Sequence, residues 1–496
     1  MIKGVFQVLF SCIWAFPLYA INTVEINVGQ ELSAFNDHSI AFYEDINVIE
    51  IFHQKTLIQS LLVPAASKET LLFDWDGDGY TDILVLAGSV VYPYLWSPAN
   101  KKYNPAANIN VGPAAFMRKG DLDGDGYDDL VFAYHDALPT QVTEYIYQFL
   151  NTEFFIVYAN GNTKTINTNG KPLDLVIGDV TGDGKNDLIV PQYELFTEVT
   201  YELIYGPWTE FEVIHDIVVW VNHGSFFEGV NSNFLKKSNG KEIPPLSYRG
   251  LGLADFTWSG QELPIGSWYA IKWNPYSDLK PLKLVGFMIP ESDGSIKQKN
   301  QDLFYDAETK VQENTSPRIW EFNGDGFLDV LFWHKKKLSL HRSKLKKDTL
   351  YYPISASVVP KDVKSLAQGD VIDFDNDGIT QEVLVPYQDK KKKGRIDVYS
   401  VNGSGKKFTK VSTMGLQGIP KQVQAIRRGA IVGATIKVGP YTLKSDALGR
   451  VQLFGVPPGQ YQVSAFHPSI GNLKFPGGDN SILVTAEGAQ AYLVSP

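Results

Sequence analysis

The chain holds one cysteine, Cys12, among 496 residues. A single thiol excludes an intrachain disulfide, and nothing downstream of Cys12 can act as a cysteine nucleophile or thiolate ligand. Beyond the N-terminus no apolar run approaches the ~18 residues that a membrane-spanning helix needs. Histidine is scarce: His38, His53, His135, His215, His223, His334, His341 and His467 are scattered, with no His-x-x-x-His pair. A Gly-x-Ser-x-Gly elbow is missing too, so neither a zinc-protease nor a serine-hydrolase signature is present. Nor is there a basic excess. The 45 Lys and Arg stand against 55 Asp and Glu, a formal net charge of -10, which argues against nucleic acid as the partner.

What the sequence has instead is a recurring acidic loop. It reads Asp74-Trp-Asp76-Gly-Asp78-Gly-Tyr80-Thr-Asp82, then Asp121-Leu-Asp123-Gly-Asp125-Gly-Tyr127-Asp-Asp129, then Asp179-Val-Thr181-Gly-Asp183-Gly-Lys185-Asn-Asp187. Side-chain oxygens at positions one, three, five and nine, with the backbone carbonyl of position seven, give a hard cation the oxygen-only shell that Ca2+ takes. Glycine at position six permits the sharp turn. Weaker copies follow. Glu321, Asn323, Asp325, Phe327 and Asp329 keep oxygen at each position; Asp373, Asp375 and Asp377 are followed by one extra residue, so that Glu382 closes the set. A sixth copy from Asp255 has lost most of its charge. An EF-hand or dockerin loop is excluded at position twelve, where Val85 and Phe132 stand in place of the bidentate acid.

First positions at 74, 121, 179, 255, 321 and 373 make an irregular repeat. Short apolar runs bounded by Gly and Asp turns flank each loop and read as strands, three to four per unit, which describes a propeller blade. The segment Ile419 to Gly429 matches Val359 to Gly369 in phase but precedes no acidic loop. It is expected to be the inner strand of a closing blade whose other strands are Ile40–Phe42, Val48–Phe52 and Leu57–Leu62. The expected fold is all-β: a propeller of seven blades with a shared closing blade, six or eight staying open, and a small C-terminal β-sandwich. The expected boundaries are a signal peptide over 1–20, the propeller over 21–429 and the sandwich over 430–496.

The pattern Asp-x-Asp-x-Asp-Gly-x-x-Asp followed by apolar residues resembles the FG-GAP/VCBS repeat of integrin-α-like β-propellers. The resemblance implies Ca2+ sites in the strand-connecting loops, mainly structural. Residues 430–496, with Asp446-x-x-Gly449 and Pro457-Pro-Gly-x-Tyr461, are similar to carboxypeptidase-regulatory and transthyretin-like modules.

The apolar stretch Val5 to Leu18 with Ala20 reads as an export signal. The leading expectation is therefore an exported, calcium-binding protein acting in extracellular or cell-surface adhesion on a protein or glycan ligand, without a transmembrane segment. A polysaccharide-lyase-like enzyme using the propeller face, or a scaffold in a secreted or toxin-like assembly, are the alternatives; enzymatic activity and oligomeric state stay open. Two related insertions, Gln141 to Tyr147 and Glu198 to Glu212, are read either as a binding lip or as extended strands packing on each other. Lysine runs at 335–337, 344–347 and 390–393 are read as anion contacts or solvated hairpin tips.

Overall fold

The computed structural model describes residues 23–30, 37–135, 140–143, 146–148, 151–168, 170–203, 206–231, 246–254, 263–272, 280–290, 296–298, 304–305, 317–320, 322, 328–333, 336–346, 349–351, 354–375, 381–402, 405–454, 456–475, 480–485 and 489–495. Among them every regular element is a strand, and no helix is long and apolar enough to cross a membrane. The signal-peptide segment lies outside the described residues.

The apolar runs after the acidic loops fold as sequence chemistry requires. Asp82–Ala87 and Glu382–Asp389 are buried at every residue. A strand covered on both faces needs no polar alternation, which is why these runs read as continuous. Outer strands alternate or are exposed, as in Thr56–Leu62.

The sheets succeed one another along the chain as antiparallel meanders. Ser67–Phe73, Asp82–Ala87, Val90–Ser97 and Lys102–Pro105 form one blade. The next runs Phe116–Gly120, Asp129–Tyr134, Glu153–Val157 and Thr163–Asn167, and a third contains Val176–Gly178, Asp187–Leu203, Gly206–Asn222 and Phe227–Asn231. Leu246–Ala254 to Ile296–Gln298, Arg318–Trp320 to Ile354–Val358, and Val363–Leu366 to Phe408–Gly415 continue the series. First strands sit side by side: Phe116–Gly120 packs against both Ser67–Phe73 and Val176–Gly178. This is a β-propeller, and its apolar cores lie between neighbouring blades. Phe73, Leu84 and Leu86 of one blade pack with Met117, Leu130 and Phe132 of the next.

Closure follows the expected scheme. Pro420–Arg427 pairs antiparallel with Asp37–Tyr43, which continues to Val48–His53 and Thr56–Leu62. The two ends of the repeat region thus share one sheet, and its first strand is no longer an open edge. At the end of this pairing Arg427 and Asp37 face each other as a buried ion pair, with Nε to Oδ1 at 2.7 Å.

The C-terminal unit is a two-sheet sandwich. One sheet runs Tyr441–Lys444, Thr435–Val438, Gly459–His467 and Gly471–Leu473. The other places Thr23–Gly29 between Arg450–Phe454, antiparallel, and Ala489–Val494, parallel. The boundaries read from the sequence put residues 23–29 in the propeller; the pairing puts them in the sandwich. The reason is packing: Val24, Ile26 and Val28 alternate, are fully buried and fill the core with Ile436, Val451 and Leu493.

One glycine fastens that inserted strand. Gly449 has φ +65°, its carbonyl accepts from Val28 N at 2.7 Å, and a Cβ there would lie 2.2 Å from Val28 O. Gly449→Ala combines a left-handed backbone with a backbone clash, so it is expected to cost about 2 kcal/mol. Chemical denaturation of the variant against the parent checks this.

Candidate metal loops

The acidic loops at 74, 121, 179 and 373 each leave the first strand of a blade and enter the second, so these four open at the same end of the ring. In the loop at 74, Asp74 accepts from Gly77 N at 2.9 Å through Oδ1 and from Gly79 N at 2.8 Å through Oδ2. Those amides can turn inward because Gly77 and Gly79 take φ +76° and +93°. Asp76 Oδ1 accepts from Asp78 N at 3.1 Å and Asp78 Oδ1 from Tyr80 N at 2.9 Å. The turn is therefore wound by its own carboxylates, and oxygens of Asp74, Asp76 and Asp82 come within 4.8 Å of one another.

Position nine has a second role that the ligand pattern does not reveal. Asp82 is fully buried; its Oδ2 accepts from Trp75 N at 3.0 Å and its Oδ1 from Trp96 N at 2.7 Å. It ties the start of the loop to the third strand of the blade. The same staple recurs. Asp129 takes Leu122 N and Ala159 N, Asp187 takes Val180 N and Asn222 N, and Asp329 takes Phe322 N and Ser343 N. The only signal in the sequence is the acid standing directly before a buried apolar run.

Electrostatics make the cluster uncomfortable without a cation. Burial raises the Asp82 carboxyl to about 8, against the relief given by the Trp96 and Trp75 amides. Burial also raises Asp74 to about 7, with Asp78 and Asp76 adding repulsion, and it lifts Asp78 to about 6. A bound divalent ion would offset both effects.

The loop at 121 repeats the geometry, with Asp121 taking Gly124 N and Gly126 N at 2.7 and 2.9 Å. Tyr127 N donates to Asp125 Oδ1 at 2.8 Å, and Asp121, Asp123 and Asp129 form a second cluster. Burial raises Asp129 to about 6. At 179 the winding by Asp179 is kept. Position three is now Thr181, whose hydroxyl oxygen is buried beside Asp187 without a well-formed hydrogen bond. The Lys185 ammonium sits 3.6 Å from Asp183, so here a cation would meet a competing charge. A third acidic cluster joins Asp373, Asp375 and Glu382, with the extra residue bringing Glu382, not Gln381, to the site. Glu321, Asn323, Asp325, Phe327, Asp377 and the loop from Asp255 lie outside the described residues.

The donor sets fit a hard cation. All are oxygens, carboxylates dominate, and the turns are preformed. They offer nothing that a soft metal would prefer.

The sandwich sits on this loop-bearing end. Ser469 Oγ donates to Gly77 O, Val432 N donates to Gly79 O at 2.9 Å, and Thr81 Oγ1 donates to Ala447 O at 2.7 Å. Lys444 Nζ reaches Gly126 O at 3.4 Å in the loop at 121. A crevice of about 350 Å³ remains between them, lined by Asp74, Asp121, Tyr127, Lys444, Asp446 and His467 among others.

The two insertions lie at the opposite end. Thr140–Thr143 and Ile146–Gln148 form a hairpin that pairs with Asp187–Leu203 through Ile146↔Thr197 and Tyr147↔Phe196. Asp187–Leu203 and Gly206–Asn222 form a long two-stranded ribbon. The two insertions thus pair with each other as extended strands.

Residues 74–132 match the FG-GAP-like repeat family. No curated protein matches the sequence. Among solved structures the chain is similar to a functionally unknown protein from Desulfotomaculum acetoxidans DSM 771, at 10% identity and TM-score 0.39, covering 78% of this chain and 98% of that one. A putative 6-phosphogluconolactonase from Bacteroides fragilis NCTC 9343 is also similar, at 10% identity and TM-score 0.42, covering 80% and 100%. A protein from Lactobacillus plantarum gives 10% identity and TM-score 0.41, covering 79% and 99%. Likeness this loose carries no activity across.

Proposed function

We propose that this is an exported, calcium-binding propeller of seven blades that binds a protein or glycan at a cell surface or outside the cell. The observation that carries the reading is the set of converging carboxylates at 74, 121 and 373, with the turns at 74 and 121 already wound by their own first aspartate. Calcium at these loops would be structural: it would hold the first and second strands of a blade together at one end of the ring. The loops lie partly under the sandwich, so recognition belongs to the other end, where turns and insertions are free of it. Export is supported by the apolar segment Val5 to Leu18 and by oxygen-only sites suited to the millimolar calcium outside cells. The transthyretin-like reading of the sandwich rests on Asp446-x-x-Gly449 and Pro457-Pro-Gly-x-Tyr461 together with its two-sheet pairing.

Thermal melting with calcium and with chelator, at several pH values, tests the metal. Chelation at neutral pH is expected to lower the midpoint by about 5 °C, the sum of a few weak sites. The pH arm has a definite sign. Asp82 and Asp74 have folded pKa values raised to about 8 and about 7 from 3.8, so the folded chain holds extra protons between these limits. Metal-free stability therefore falls as pH rises from about 4 to about 8, and calcium flattens that fall. An identical midpoint with and without chelator across this range removes the calcium reading.

A further inference from the structure

The end of the ring opposite the acidic loops is charged in two opposing halves. In the blade of Val363–Leu366 and Glu382–Asp389, the turn joining the second and third strands carries Lys390, Lys391, Lys392 and Lys393, all exposed. Beside it lies the connection with Lys361 and Lys364, also exposed, and Lys390 N donates to Asp362 O at 2.8 Å, which locks the two turns together. The acids available are already engaged: Asp362 meets Lys390 at 3.6 Å and Asp389 meets Arg395 at 2.9 Å. Among the described residues Lys361, Lys364, Lys391, Lys392 and Lys393 have no carboxylate within ion-pair reach, in a chain of net charge -10. Lys392 also stands at φ +63°, where glycine would be easier.

We infer that these lysine turns are the docking surface for an anionic polysaccharide, a uronate-type polymer that lies along the ring end. The inference rests on the binding-protein reading above and supplies its ligand class. Lysines on flexible stems, without arginine forks, suit carboxylates spaced along a polymer and demand no fixed register. A flat anionic bilayer fits less well. The ribbon of Asp187–Leu203 and Gly206–Asn222 rises at the same end about ten residues, roughly 30 Å, beyond the blade. It carries Glu194, Glu198, Glu202, Glu210 and Glu212 and no lysine or arginine over 191–216. A bilayer pressed on the lysines would meet that acidic ribbon, whereas a chain can run past it and is held to the basic side.

The test uses the full chain in calcium, titrated with short oligogalacturonate by calorimetry at a series of salt concentrations. A variant carrying Lys390→Gln, Lys391→Gln, Lys392→Gln and Lys393→Gln is expected to bind roughly tenfold more weakly and with a shallower salt dependence. A control carrying Lys406→Gln, Lys407→Gln, Lys437→Gln and Lys474→Gln removes equal charge elsewhere and is expected to bind as the parent does. Thermal melting of both variants reports that the fold is kept. Absence of binding by the parent at low salt overturns the inference, as does equal loss in both variants. Tighter binding to phosphatidylserine vesicles than to the saccharide assigns the turns to a membrane and overturns it as well. Because chelator melting reads metal and this titration reads lysine charge, either proposal can fail alone.

Discussion

Arg427→Met is expected to destabilise the protein by about 3–5 kcal/mol, because it strips one partner from a buried ion pair. Asp37 and Arg427 are the facing residues that end the closing pairing, and both are almost completely buried. Asp37 Oδ1 accepts from Arg427, its Oδ2 accepts from Asp373 N at 2.9 Å, and the other guanidinium nitrogen reaches Asn27 of the sandwich. Closing blade, sandwich and the loop at 373 therefore meet on two charged side chains. Methionine keeps the stem of Arg427 and leaves the Asp37 carboxyl group desolvated and short of its partner. Removing both charges as Arg427→Met with Asp37→Leu is expected to recover much of the loss, since a buried pair replaced by apolar groups is often close to neutral. Urea denaturation midpoints of the two single variants and the double variant check the prediction. Near-additive losses would show that the two side chains act separately.

Asp82→Ala is expected to cost about 3 kcal/mol even in chelator, and Asp76→Ala almost nothing there. Removing the Asp82 carboxylate orphans the buried amides of Trp75 and Trp96, each a desolvation loss of about 1–3 kcal/mol. Asp76 is exposed and holds the Asp78 amide at the loop surface. In calcium the order changes character: Asp76→Ala is expected to lose the stabilisation that metal adds at this loop, while Asp82→Ala loses both terms. Melting each variant with and without calcium separates the staple from the ligand. If Asp82→Ala matches Asp76→Ala in chelator, the staple contributes nothing.

Much of this architecture is legible in the sequence because its signals are local. The acidic turns announce themselves by spacing, and Ile83 to Leu86 reads as a doubly covered strand because all four positions are apolar. The closing pairing is visible because residues 419–429 repeat the phase of 359–369 yet lack a loop to follow. Thr23–Gly29 shows the limit. Its alternation of Val24, Ile26 and Val28 declares a strand, but choosing between two sheets depends on contacts with residues more than four hundred positions away. The position-nine staple is hidden for a different reason. A carboxylate that ligates metal and one that accepts two amides are the same letter, and only burial with a neighbouring strand end tells them apart. The sandwich lying on the loops at 74 and 121 is likewise a fact of docking, carried by Ser469, Val432 and Lys444 with no motif of their own.

The insertion of Thr23–Gly29 between Arg450–Phe454 and Ala489–Val494 sets an order on biogenesis. Thr23–Gly29 has no partner until residues 450–454 and 489–494 have followed it. The neighbouring strand, Asp37–Tyr43, waits equally long for Pro420–Arg427. Blades in the middle can form from local meanders, but both closures are contacts of very long sequence separation and so come late and slowly. An apolar, unpaired Val24-Glu-Ile-Asn-Val28 edge is exposed throughout that interval, and a chaperone that shields extended segments would have its most useful work there.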